Sequence, residues 1–136
     1  MKIFICCSKA FYDKIPPIKT KLEKFGHIIT LPNSFDNPTR ELEMHAKGAK
    51  EHSEWKAEML RLQVQKITSN DAILVLNFEK NGQPNYIGGA TFLEMYKAFE
   101  LGKKLFLYNN VPTGILRDEI LAFNPILISQ DLSLVQ

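Results

Sequence analysis

The chain has 136 residues, 45% of them hydrophobic and 24% charged, with a formal net charge of +2. These proportions are those of an ordinary globular protein, and the length suits one domain, residues 1–136, with no room for a second core. A charge so near balance carries no footprint for duplex nucleic acid, while free nucleotides stay within reach as partners.

Met1-Lys2 leads straight into Lys2 to Cys7, an apolar run too continuous for a half-exposed strand, which predicts a first strand at the centre of a sheet covered on both faces. Cys6 and Cys7 are adjacent, poorly placed to pair with each other, and have no third cysteine to pair with. A reducing cytoplasm is their expected setting. With no signal peptide and no apolar run long enough to cross a bilayer, the reading is of a soluble chain with no membrane partner. Ser8 follows the strand at its carboxyl end, where an open parallel sheet binds ligands, and is a candidate for a phosphate or sugar hydroxyl.

Pro16-Pro17 and Gly26 bracket a helix from Pro16 to Phe25, with proline at the start and glycine past the end. His27 to Leu31 reads as the second strand, with His27 structural at the end away from the ligand edge. The loop Pro32 to Pro38 emerges at that edge as a candidate cover. Asn37-Pro38 can start a further helix, and Gly48 predicts a break in it. His45 and His52 flank the break; with no third ligand in view they read as solvated surface histidines, so neither a metal nor any other cofactor is expected.

A longer helix from about Glu51 to Thr68 carries two apolar stripes, one of them Trp55, Met59 and Leu62. After it Asp71 opens a buried strand, Ala72 to Asn77, and a polar loop through Asn81-Gly82 and Pro84 leads to Asn85 and Tyr86. Gly88-Gly89 then turns, with positive φ and a cap from Thr91 or the turn itself, into a helix holding Glu94 in its first turns. Free N–H groups and a partial positive charge at such a start stabilise a phosphate or a carboxylate. One face of this helix carries Phe92, Met95, Tyr96 and Phe99, a second stripe wanting a partner, so a homodimer or larger oligomer is expected. Leu105 to Tyr108, a helix from Thr113 to Phe123 and a short strand from Ile126 to Ile128 complete the chain. Strand, glycine loop, helix, strand is one βαβ unit, and the whole alternation predicts an α/β fold: a three-layer, doubly wound, flavodoxin-like or Rossmann-like sheet of about five mainly parallel strands.

The sequence from Asp71 through Asn77, the Gly-x-x-x-x-Glu spacing from Gly89 to Glu94, and then Tyr96, Ala98 and Gly102-Lys103 resembles the nucleoside 2-deoxyribosyltransferase-like superfamily. The resemblance covers roughly Asp71 to Asn110 and, loosely, the first strand. It implies that Glu94 is the nucleophile on the anomeric carbon of a nucleoside or nucleotide; Ser8, Asn77, Asn85, Tyr86, Gly88 and Gly89, placed at the same strand ends and in the glycine loop, are expected to hold the substrate. Gly88 to Glu94 is similar also to the Gly-Gly-x-Gly-Thr-x-x-Glu signature of cytokinin-activating phosphoribohydrolases, short by one glycine. Both relatives cleave N-glycosidic bonds, so the expected activity is that of an N-glycosidic hydrolase or deoxyribosyltransferase. Where the transferases carry aspartate at the strand end and often another acidic residue in the loop, this chain has Asn77 and Gly88. A non-catalytic nucleotide-binding sensor on the same fold is therefore the alternative, and the general acid is left among Glu79, Asp36 and a group from a neighbouring subunit.

Overall fold

Alternation of side chains along each strand decides the architecture. The computed structural model describes Met1 to Gln136. Strands β1 (Lys2–Cys6), β2 (Ile28–Thr30), β3 (Ala72–Val75), β4 (Lys104–Leu107) and β5 (Ile126–Leu127) form one sheet in the order β2-β1-β3-β4-β5. Every neighbouring pair is parallel. Ile3, Ile5 and Cys7 point to one face with Ala72, Leu74, Leu76 and Phe106, whereas Phe4, Cys6, Ile73, Val75, Leu105 and Leu107 point to the other. Each set is buried in its own core, so both faces must be covered.

Helix α1 (Ile15–Lys24) covers the first face with Ile15, Ile18 and Leu22, joined there by Leu132 and Val135 from the C-terminal segment. Pro16 and Pro17 lie at its start, where missing N–H donors cost nothing, and Gly26 turns the chain out at φ 91. Helices α2 (Arg40–Lys47), α3 (Ala49–Ser69), α4 (Gly89–Glu100) and α5 (Arg117–Ala122) complete the set, and Ile67, Met95, Ala98 and Ile120 from the last three fill the second core. Three layers result, in the flavodoxin-like order expected.

Some expectations need correction. The sheet's midline is β3, the strand with every residue buried, and β1 is the interior strand beside it. The stretch Lys9–Lys14, unassigned from sequence, is a 3₁₀ turn capped by Ser8, whose Oγ accepts from the Ala10 N–H at 3.3 Å. The final helix is only Arg117–Ala122, because Gly114 at φ 117 keeps the preceding segment from coiling. The break at Gly48 is real: φ 132 with ψ 168 is open to glycine alone among ordinary residues, and it separates α2 from α3. His27 is structural as read, joining the Met1 amine at 3.0 Å to the Val135 carbonyl at 3.0 Å. No helix is long and apolar enough to cross a membrane.

The apolar stripes divide differently from the sequence reading. Met95 is wholly buried in the chain's own core, while Phe92, Tyr96 and Phe99 gather around Phe123 at centroid distances of 5.6, 6.3 and 5.4 Å. Tyr96 and Phe99 still expose 47% and 49% of their surface. On α3, Trp55 is buried, Met59 borders a cleft, and Leu62 alone of its stripe is exposed.

Candidate functional site

Parallel strands bring all their carboxyl ends to one edge, and there the chain opens a cleft of about 360 Å³. Its walls are the turn after β1, the loop after β2, one face of α3 and the first turns of α4. Of the residues expected to bind, Ser8, Tyr86, Gly88, Gly89 and Glu94 lie on these walls. Asn77 and Asn85 do not.

Asn77 is fully buried and its amide is used by the protein: Nδ2 donates to the Asn110 carbonyl at 2.8 Å, and Oδ1 accepts from the Asn109 N–H at 2.8 Å. Asn109 returns a bond from its Nδ2 to the Asn77 carbonyl at 3.1 Å. With its nitrogen and its oxygen each held by the loop, this fully buried side chain staples β3 to the segment after β4 and presents no surface to the cleft. Asn85 takes up the left-handed backbone, φ 58, that aims Tyr86 and the following glycines into the cleft.

Gly88 and Gly89 serve the site by lacking side chains, and neither has the positive φ expected. Gly88 is extended, φ −84 and ψ 173, and is the N-cap of α4 with no side-chain cap; Thr91 does not supply one. A Cβ on Gly88 would lie 3.4 Å from the Tyr86 hydroxyl, whereas one on Gly89 would meet nothing and project into open space. The Phe92 N–H makes the first return bond, to the Gly88 carbonyl at 2.9 Å, so the donors before it lack an intrahelical acceptor at the cleft wall.

Glu94 stands one turn further along α4 and retains 7% of its surface exposure. Burial pushes its carboxyl up to about 8, against smaller opposing pulls from the Cys6 thiol and the Lys66 and Lys56 ammoniums. No lysine comes within ion-pair distance of it: Lys66 donates instead to the Leu31 carbonyl at 2.7 Å. The free protein at neutral pH therefore holds Glu94 mostly protonated. Around it the thiol of Cys7 is raised to about 12, by burial first and then by the Glu94 charge, so neither it nor the deeper Cys6 is a thiolate nucleophile.

The sequence reading missed a second carboxylate. Glu41, from α2, lines the same cleft, while Glu79 and Asp36 do not. Burial alone would raise the Glu41 carboxyl, but hydrogen bonds from Lys9 at 2.7 Å and His52 at 3.1 Å, with the Lys56 charge, hold it down at about 2. One cleft thus holds a carboxyl raised by burial and another held low by its cationic partners. His45 and His52, expected to be solvated surface groups, stack with centroids 3.5 Å apart because the Gly48 break folds α3 back on α2.

Three aromatic side chains, Tyr12, Trp55 and Tyr86, and three lysines, Lys9, Lys56 and Lys80, complete the lining. Asn33 adds a buried acceptor: its Nδ2 donates to the Met59 carbonyl at 2.9 Å, and its Oδ1 has no protein partner. Trp55, the chain's only tryptophan, was read as part of an apolar stripe and Glu41 drew no reading, because an amphipathic stripe and a solvated charge look the same in sequence as a cleft wall. No family model and no curated protein matches this sequence.

Proposed function

We propose that the cleft binds a nucleoside or nucleotide and cleaves its N-glycosidic bond, by hydrolysis or by deoxyribosyl transfer, with Glu94 as nucleophile. The observation that carries this reading is the buried Glu94 carboxyl, raised to about 8, on the wall of a cleft with aromatic rings, lysines and open helix N–H donors. Aromatic faces suit a base, and ammoniums with free N–H groups suit a phosphate or sugar oxygens.

In this mechanism an ionised Glu94 oxygen attacks the anomeric carbon as its bond to the base nitrogen breaks. The base leaves with a proton drawn from solvent; water, or a second base in a transfer reaction, then attacks the anomeric carbon, gives up its proton and releases the Glu94 carboxylate from the glycosyl ester. Positive charge building on the sugar ring is stabilised by a carboxylate that is poorly solvated beforehand, which makes the interaction stronger in the transition state than at rest. Because only the ionised form attacks, kcat/KM is expected to rise with pH through about 8 and then level off.

The test is incubation with a panel of nucleosides and nucleoside monophosphates, followed by chromatography for free base. Glu94→Gln should lower turnover by at least about a thousandfold while leaving substrate binding measurable. A rate that falls through pH 8 would instead make Glu94 the proton donor to the departing base. One observation favours the second reading, a nucleotide-binding sensor: Asn77, at the position where the transferases carry aspartate, is consumed by contacts to Asn109 and Asn110. Binding without product selects it. The half-exposed Tyr96 and Phe99, next to the exposed Leu93, support a homodimer or larger assembly through this face of α4.

A further inference from the structure

Two imidazoles and a carboxylate converge where α2 meets α3, beside the cleft but outside the proposed glycosidic chemistry. Glu41 and His45 are four residues apart on α2 and so share one face, a turn apart. Gly48 then reverses the chain, and His52, one turn into α3, is folded back so that its ring lies on that of His45, with the planes 18° apart. Ligand-capable atoms of the three residues all lie within 4.8 Å of one another.

We propose that Glu41, His45 and His52 bind a borderline divalent transition-metal ion, with Zn²⁺ the best match to this donor set. Stacking holds the two imidazoles side by side, 3.5 Å between centroids, so a ring nitrogen of each is offered to the same small volume. Glu41 Oε2 is 3.1 Å from His52 Nε2, near the ~3.3 Å that separates two ligands on tetrahedral zinc, so this pair is already at coordinating separation. His45 is exposed and closes the remaining gap by side-chain rotation.

The surroundings are organised for such an ion. Lys9 holds the other Glu41 oxygen at 2.7 Å, fixing the carboxylate as an outer hydrogen-bond donor fixes a metal ligand. Lys56, 3.4 Å from Oε2, is the cation that the metal displaces. Imidazole nitrogen with a single carboxylate selects zinc, cobalt or nickel over magnesium and calcium, which demand oxygen ligands. Three protein ligands leave a further position for water or another donor. Since Glu41 also lines the cleft, the ion sits against its wall and ties α2 to α3 there. Nothing in this site depends on whether the cleft turns over a nucleoside.

The experiment is a calorimetric titration of the full chain, stripped with a chelator, with ZnCl₂ and in parallel with MgCl₂. One equivalent of zinc and no magnesium should bind, Co²⁺ should give visible ligand-field absorption, and the melting temperature should rise with zinc. His45→Ala removes an exposed ring and spares the fold; it, and His52→Ala, should each weaken zinc binding by about tenfold or more. Lack of zinc uptake by the unaltered protein overturns the proposal. So does magnesium binding as tightly as zinc, or zinc affinity and cobalt absorption that survive His45→Ala. If His52→Ala does not fold, His45→Ala decides alone.

Discussion

Glu94 carries a cost that the fold would not accept without compensation elsewhere. Its carboxyl is raised to about 8 in the folded chain by burial, against an ordinary value of 4.5. The folded state therefore holds the proton more tightly than the unfolded one, and this contribution to stability is fully present below pH 4.5 and lost as pH rises through 8. Over that window it amounts to a few kcal/mol. Glu94→Gln is expected to remove this part of the pH dependence and to be more stable than the unaltered protein at pH 9, as read from urea midpoints at several pH values. Such a gain in stability on losing the charge is the behaviour of a group kept for function.

Asn77 makes the opposite case. Asn77→Leu keeps the branched skeleton, with somewhat more bulk, but leaves the Asn109 N–H and the Asn110 carbonyl without their partner, which should cost about 3 kcal/mol. Because its amide does not line the cleft, nucleotide affinity of the folded variant should be nearly unchanged in a direct binding titration. The residue type and its place at a strand end were legible in the sequence. The direction of its amide was not, since that depends on a loop more than thirty residues away.

Among the elements, the α2–α3 hairpin shows how one backbone angle brings a site together. Gly48 at φ 132 ends one helix and starts the next, and without it the two histidines would lie on a single continuous rod. Gly48→Ala places a Cβ 2.7 Å from Glu51 Oε2, a flexible group that can swing away, so the penalty lies in the backbone, about 1–3 kcal/mol. A lowered denaturation midpoint together with loss of the His45–His52 ring stacking, seen as changed imidazole proton shifts in NMR, is the expected result. The glycine signalled the break from sequence. The helix start at Gly88 was legible too, though for another reason than expected: extended backbone and an absent side chain replace the positive φ.

At the scale of the whole molecule, the proposed association through α4 has a simple test. Phe123 covers Phe92, Tyr96 and Phe99 on one side only, leaving Leu93, Tyr96 and Phe99 as an apolar face on a chain of 136 residues. Light scattering at micromolar concentration should return at least twice the chain mass, and Phe99→Glu should return one chain mass with the fold intact by circular dichroism. A single chain mass for the unaltered protein removes the dimer.

The sequence by itself determined the alternation of strands and helices, the parallel sheet and the edge where the cleft opens, because side-chain periodicity and the positions of glycine and proline are local properties that the fold obeys. It also determined that Glu94 opens onto that edge, since a glycine start and a spacing of one and a half turns fix where a helical side chain emerges. Only the tertiary structure decided that Asn77 faces a loop, that Glu41 comes to the same cleft from a separate helix, and that His45 meets His52. These are contacts between segments far apart in the chain or across a reversal. Which partner each polar group finds depends on the packing of the layers, which no local pattern encodes.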